Sequence, residues 1–248
     1  MRRSKAPLEL ISGGISFVPM AGRRDELKAL SSALKLRQSR LIVGPPGIGK
    51  TRLLEECIPA SGQCVVHAER PPALHHLLVR LAEQLGCRSA RFSCPEKATS
   101  IHLKPLVLNA LRANPRCVIV ENLESRDPRM YRFLQDLYYI PGAALVVTAR
   151  SIDRIGYVRK LLWDPRETIV MKPLSRPESL GLFEEVGHIF RLESFDLDDF
   201  RHKVIGAARG NPGQIIAMCR MAAHPEYRNG RYIKFLPLRM DMLSAFVS

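Results

Sequence analysis

Two rhythms of apolar positions alternate along the chain. Leu27, Leu30, Leu34 and Leu36 recur at helical spacing after Gly22-Arg23-Arg24-Asp25-Glu26, which predicts a helix with one apolar side. A short run, Arg40-Leu41-Ile42-Val43, then predicts a buried strand, and the stretch from Lys50 (KTRLLEECI) returns to helical spacing. Cys64-Val65-Val66-His67-Ala68 predicts a second strand. Pro71-Pro72 then opens a helix through Leu77, Leu78, Leu81 and Leu85, and residues 99–113 form another, stopped by Asn114-Pro115. CVIV at 117–120, AALVV at 143–147 and TIVM at 168–171 predict three more strands, with a helix at Met130–Leu137 between the first two.

Strands separated by helices at these distances predict an α/β fold, a five-stranded, mostly parallel sheet with helices on both faces. From Ser175 the rhythm changes to helices near 176–188, 196–208 and 212–223 with no strand between them. The expected organisation is an N-terminal segment at 1–22, an α/β domain at 23–174, a small helical subdomain at 175–225 and a tail at 226–248 that begins strand-like and ends helical. In the tail, Phe235, Leu236, Leu238, Met240, Met242, Leu243 and Phe246 are expected to pack on the chain's own helices.

The chemistry begins between the first strand and the helix after it. GPPGIGKT, comprising Gly44, Pro45, Pro46, Gly47, Ile48, Gly49, Lys50 and Thr51, fits G-x-x-x-x-G-K-[ST] in a strand-loop-helix setting. The glycines let backbone N–H groups turn toward phosphate, Lys50 neutralises β/γ oxygens and Thr51 offers a hydroxyl to Mg²⁺. Arg52 follows directly and joins the expected nucleotide-binding set. ATP or ADP with Mg²⁺ is the expected ligand.

Phosphoryl transfer at such a loop calls for an acid at a neighbouring strand tip, with a second carboxylate to polarise water. The third strand ends Glu121-Asn122-Leu123-Glu124. Glu121 takes the metal position, one methylene longer than the usual aspartate. Asn122 stands where an active enzyme commonly has Glu, and an amide cannot take a proton from water; Glu124 is the substitute candidate, or else a solvated loop carboxylate. The fourth strand ends Thr148-Ala149-Arg150, a polar residue and an arginine at a tip where they can touch a γ-phosphate. Arg126, Arg129, Arg154 and Arg159 are further arginine candidates, including for a neighbouring subunit. Binding is thus better supported than turnover.

Composition changes this picture in two places. The net charge of +14 is uneven, with 19 Lys/Arg against 8 Asp/Glu in residues 1–120 and 19 against 16 in the remainder. That asymmetry fits a polyanion-binding face and equally fits solvated, arginine-rich surfaces. The six cysteines include no C-x-x-C pair, with Cys64 and Cys117 expected as small core residues, which points to a reducing, cytoplasmic setting. The seven histidines show no ligand spacing, and His75-His76 is expected on a helix surface. No apolar run reaches the ~18 residues of a membrane span. Glu9 interrupts the weak signal-peptide pattern that follows MRRSK.

In order, FVPMAGRRDEL, GPPGIGKT, VIVENLE, VVTAR, KPLSRPESLGLF and GNPGQIIAM resemble the AAA+-related STAND ATPases, signalling switches that include LuxR-like and AfsR-like regulators and NB-ARC proteins. The likeness spans residues 17–223. It implies an ASCE-type P-loop fold followed by a helical lid. Val120-Glu121-Asn122-Leu123-Glu124 resembles the LDN-x-E metal strand with Glu for Asp, and Thr148-Ala149-Arg150 resembles the T-S/T-R sensor. Leu174-Ser175 through Leu182-Phe183 resembles the opening of the lid, and Asn211-Pro212 its G-x-P, whose Pro212 is implied near adenine. Phe17-Val18 through Arg23 resembles the F-V-G-R adenine clamp, with Pro-Met-Ala inserted before Gly22, which implies a nucleotide contact for Val18.

The first expected function is a nucleotide-dependent switch, in which ATP closes the lid through Arg150 and slow hydrolysis reopens it. With no effector domain recognisable after the lid, its expected partner is another protein chain or further copies of itself. The alternatives are a DNA-associated AAA+ ATPase that oligomerises on DNA, favoured by the basic first half, and a catalytically degenerate ATP-binding subunit.

Overall fold

The computed structural model describes residues 20–87 and 94–247, with backbone alone for 245–247. Val18, Phe17 and the start of the expected clamp lie outside the described residues, as does the side chain of Phe246. Two compact units emerge. Among the described residues, one comprises 24–45 and 50–171, and the other 20–23, 46–49 and 172–247.

In the first unit a five-stranded sheet is formed by β1 (Arg40–Val43), β2 (Val65–Glu69), β3 (Cys117–Glu121), β4 (Ala144–Ala149) and β5 (Thr168–Val170), in the order β2-β3-β4-β1-β5. Every pairing is parallel. The two central strands β3 and β4 are buried at every residue, which explains their unbroken apolar runs. Side chains alternate across the pleat. Leu41, Val43, Val118, Val120, Leu145 and Val147 join a core with helices α3 (Leu74–Gln84), α4 (Ser100–Ala113) and α5 (Pro128–Tyr138). Ile42, Ile119 and Val146 are buried outside that core. Helices α1 (Arg24–Lys35) and α2 (Lys50–Ser61) pack against each other and bury Leu30, Leu34, Leu53 and Leu54. β4 therefore separates the strand that feeds the glycine loop from the strand that ends in Glu121, the ASCE order.

Two expectations fail locally. Leu36, assigned to the apolar side of α1, is 67% exposed, because the helix ends at Lys35 and Arg37 turns the chain at φ +51°. Cys64 precedes β2 and is exposed, whereas Cys117 is buried and its thiol is pushed up to about 12 by desolvation.

In the second unit α6 (Arg176–Ile189), α7 (Asp198–Ala208) and α8 (Pro212–Ala222) are followed by a hairpin of β6 (Arg228–Asn229) and β7 (Tyr232–Ile233) and by α9 (Phe235–Val247). Ser175 and Glu178 close a reciprocal capping box at the start of α6, an arrangement worth about 1 kcal/mol. Phe183, Val186, Phe200, Val204, Met218, Leu238 and Met242 form one cluster, which Tyr227 and Ile233 also join, so the segment from 227 to 242 shares the core of the helices before it. Leu236, Met240 and Leu243 of α9 face outward instead. Arg209 ends α7 in the left-handed region and Gly210 continues at φ +76°, where an added Cβ would collide with the Leu174 carbonyl.

Candidate nucleotide site

The loop after β1 starts anchored, with the Gly44 N–H donating to the Ala149 carbonyl at 3.2 Å. Gly47 and Gly49 have φ of +76° and +104°, values that side chains oppose, so the glycines of the motif are used conformationally. Pro45, Pro46 and Gly47 are exposed, while Gly44 and Ile48 are buried.

Lys50 is 5% exposed at the first position of α2, and its ammonium donates to the carbonyls of Gly44 at 2.7 Å and Pro45 at 3.1 Å. Desolvation lowers its pKa, and the positive charges of Arg150 and Arg70 lower it further, against an opposing pull from Glu121. Two arginine charges thus act on the Lys50 ammonium beside the glycine loop. An anion is what such a cluster favours.

Glu121 closes the other side. It is 1% exposed at the end of β3. One carboxylate oxygen accepts from the Thr51 hydroxyl, and the other meets His67 Nε2 at 2.9 Å. Burial raises its pKa, but the hydrogen bonds from His67 and Thr51, with the nearby charges of His67 and Arg70, outweigh burial and leave it below the usual carboxylate range. His67 is correspondingly raised by its hydrogen bond to Glu121, against desolvation.

The sign of the pH dependence follows. His67 contributes stability that is complete below its ordinary value of about 6.5 and is lost as pH rises through its higher folded value. Glu121 contributes stability that is present above its ordinary value and is lost as pH falls through its depressed one. Thermal melting between pH 6 and 9 is therefore expected to show a decline that is absent from His67→Leu; parallel curves would contradict the pairing.

The remaining candidates separate into distinct environments. Asn122 adopts φ +52° and its N–H donates to Thr148 Oγ1 at 2.8 Å, while Leu123 N–H donates to the Thr148 carbonyl at 2.8 Å. Thr148 is 0% exposed, and its hydroxyl oxygen accepts the Asn122 bond as a strut between the tips of β3 and β4. Arg150 is half exposed, with Nε 2.9 Å from Glu124, and Glu124 also faces Arg154 at 3.6 Å. Arg52 turns along its own helix to Glu56 at 2.5 Å and Glu55 at 3.3 Å. In the helical unit, Pro212 is the first residue of α8. Asn211 Nδ2 donates to the Pro46 carbonyl at 2.9 Å and Gly213 N–H to the Gly47 carbonyl at 2.9 Å. An added Cβ on Gly213 would lie 2.8 Å from Gly47 Cα, so this approach requires glycine.

His67 and Arg70, which both act on Glu121, are neighbours that sequence reasoning missed. A polar residue inside the apolar run of β2 was the available signal for His67. Arg70 gave none, since it acts from a left-handed turn after the strand.

The donors fit a nucleotide with a hard cation. Thr51 and Glu121 bring a hydroxyl and a carboxylate together, and Mg²⁺ is commonly held by one or two carboxylates plus substrate phosphates. Among the described residues no group of three or more His, Cys, Asp or Glu could hold a metal alone. Bound there, Mg²⁺ would offset phosphate charge, with Thr51 and Glu121 as its protein-side holders.

Sheet order, glycine loop and buried acid define an α/β P-loop NTPase fold with the ASCE strand order. No protein-family model matches the sequence, and no curated protein matches it. Among solved structures, the chain is similar to the Aeropyrum pernix ORC1 protein in complex with DNA, at 17% identity and TM-score 0.63, covering 98% of this chain and 69% of that one. The Aeropyrum pernix ORC2 protein, in ADPNP-ADP complexes, gives 14% identity and TM-score 0.63, covering 95% and 71%. A signal transduction ATPase with numerous domains from Pyrococcus horikoshii, carrying a tetratricopeptide repeat sensor, gives 14% and 0.53, covering 93% of this chain and 34% of that one. No described helix is long and apolar enough to cross a membrane.

Proposed function

We propose that the chain is an ATP-binding AAA+/STAND-like ATPase that acts as a nucleotide-dependent switch or assembly factor, with slow hydrolysis at most. The carrying observation is the meeting of buried Lys50, Thr51 and buried Glu121 at one loop, under the positive influence of Arg150 and Arg70. Slow turnover is favoured by the two residues that would otherwise activate water. Asn122 carries an amide, which cannot take a proton from water, and Glu124 faces two arginines instead of standing free as a base. Arg150 is the residue best supported as a reader of the γ-phosphate, which a switch must contact differently in its ATP and ADP states. Partner proteins or further copies of the chain would then read the state.

A DNA-associated role is the second reading. It draws support from the basic first half of the chain and from the likeness to an ORC1 protein solved with DNA. Protease protection and hydrodynamic size, measured with ATP, ADP and no nucleotide, with and without duplex DNA, separate the two. A switch gives distinct ATP and ADP patterns without DNA. Identical patterns in all nucleotide states would defeat it. DNA binding with a steep salt dependence would move the assignment to the second reading.

A further inference from the structure

The sheet order makes β2 an edge strand among the described residues, so the outward backbone groups of His67 face none of the described strands. Gln84, the last residue of α3, supplies both partners. Its Oε1 accepts from His67 N–H at 2.8 Å and its Nε2 donates to the His67 carbonyl at 2.5 Å. The backbone of His67 is thereby fixed by a bidentate amide.

What its imidazole meets is set by register. Glu69 of β2 pairs with Glu121 of β3, and His67 pairs with Ile119, so His67 and Glu121 are diagonal neighbours on one face. Long side chains bridge such a diagonal. Glu121 does so with one oxygen on His67 Nε2 at 2.9 Å while the other takes the Thr51 hydroxyl. An aspartate reaches about 1.5 Å less, one carbon–carbon bond, and could not keep both contacts from the same backbone position. The unusual glutamate and the histidine therefore belong together.

We propose that His67 is the positioning residue for Glu121, fixing one carboxylate oxygen so that the other is presented beside Thr51 to the cation of a bound nucleotide, and that this pairing is why position 121 is Glu and not Asp. Gln84 backs the arrangement by holding the strand. The inference deepens the nucleotide-site reading and rests on it. Residues of this outer kind commonly change metal affinity by about 10–100-fold when removed.

The test is a cycle of four proteins, the parent, His67→Leu, Glu121→Asp and the double variant, with His67→Gln as a rescue that restores a donor of similar reach. ATP affinity is measured by fluorescent-nucleotide titration in Mg²⁺ and in EDTA, and folding by thermal melting. His67→Leu is expected to lose about tenfold of the Mg²⁺-dependent part of ATP affinity while binding in EDTA stays at the parent level, and His67→Gln to recover most of it. In the Glu121→Asp background the same leucine substitution is expected to change Mg²⁺ dependence less than about twofold, because the contact is already lost. An equal loss in both backgrounds, or a His67→Leu protein with parental Mg²⁺ dependence, overturns the pairing. A parent that binds no nucleotide in either condition overturns the site itself, and the inference falls with it.

Discussion

Lys50→Ala is expected to reduce ATP and ADP affinity by roughly two orders of magnitude or more, about 3 kcal/mol, while leaving the protein folded. A charge-assisted contact to β/γ phosphate oxygens is among the stronger single interactions available at such a loop. The substitution removes it without disturbing the glycine turn. Folding is expected to hold because the ammonium is not a stabilising group in the free protein. Its pKa is depressed first by desolvation and then by the charges of Arg150 and Arg70, so its charged form is held at a cost. Of its two carbonyl partners, that of Pro45 lies on an exposed residue that water can serve, while Gly44 is buried and keeps its N–H bond to Ala149. Calorimetric titration with ATP and with ADP, alongside thermal melting, measures both halves. Unchanged binding would remove the nucleotide site; lost binding in a protein that no longer melts cooperatively would be a folding effect only.

The elements most legible in the sequence were those whose signal is local. Strand β1, the loop at 44–51 and α2 are specified by an apolar run, three glycines and a return to helical spacing, and the α/β sheet follows from repetition of that pattern. The acid strand was equally plain as far as Glu121. What sequence could not supply was the lateral chemistry of the sheet. His67 and Glu121 are 54 residues apart and meet only because β2 and β3 pair in one register. Thr148 shows the same gap from the other side. As a polar residue at a strand tip it reads like a ligand contact, and the structure adds that its hydroxyl oxygen accepts from the Asn122 backbone N–H at a left-handed turn. Glu124 reads as a free loop carboxylate until Arg150 and Arg154 are seen beside it. Local patterns set the frame, and register decides which polar groups remain available within it.

Glu121 is where that difference matters most, and two substitutions there are expected to part company. Glu121→Gln keeps the length and shape of the side chain. Its amide can still accept from Thr51 and donate toward a neutral His67, so the fold should survive, but the negative charge is gone. A cation shared between Thr51 and the nucleotide phosphates loses its only charged protein neighbour in this donor pair, and the Mg²⁺-dependent part of ATP retention is expected to fall by about tenfold or more. Retention in EDTA should change little or rise, since a like charge beside the polyphosphate has been removed. Glu121→Ala does something else. It leaves the Thr51 hydroxyl and the His67 imidazole without the carboxylate at a position 1% exposed, and is expected to cost about 2–4 kcal/mol of stability through unmet polar groups and a small void. Urea denaturation compares the two proteins, and nucleotide titration with and without Mg²⁺ isolates the metal term. If Glu121→Gln retained ATP with the parental Mg²⁺ dependence, the carboxylate would be a structural tie between β3, β2 and α2, and the cation would have to be held by Thr51 and the phosphates without it.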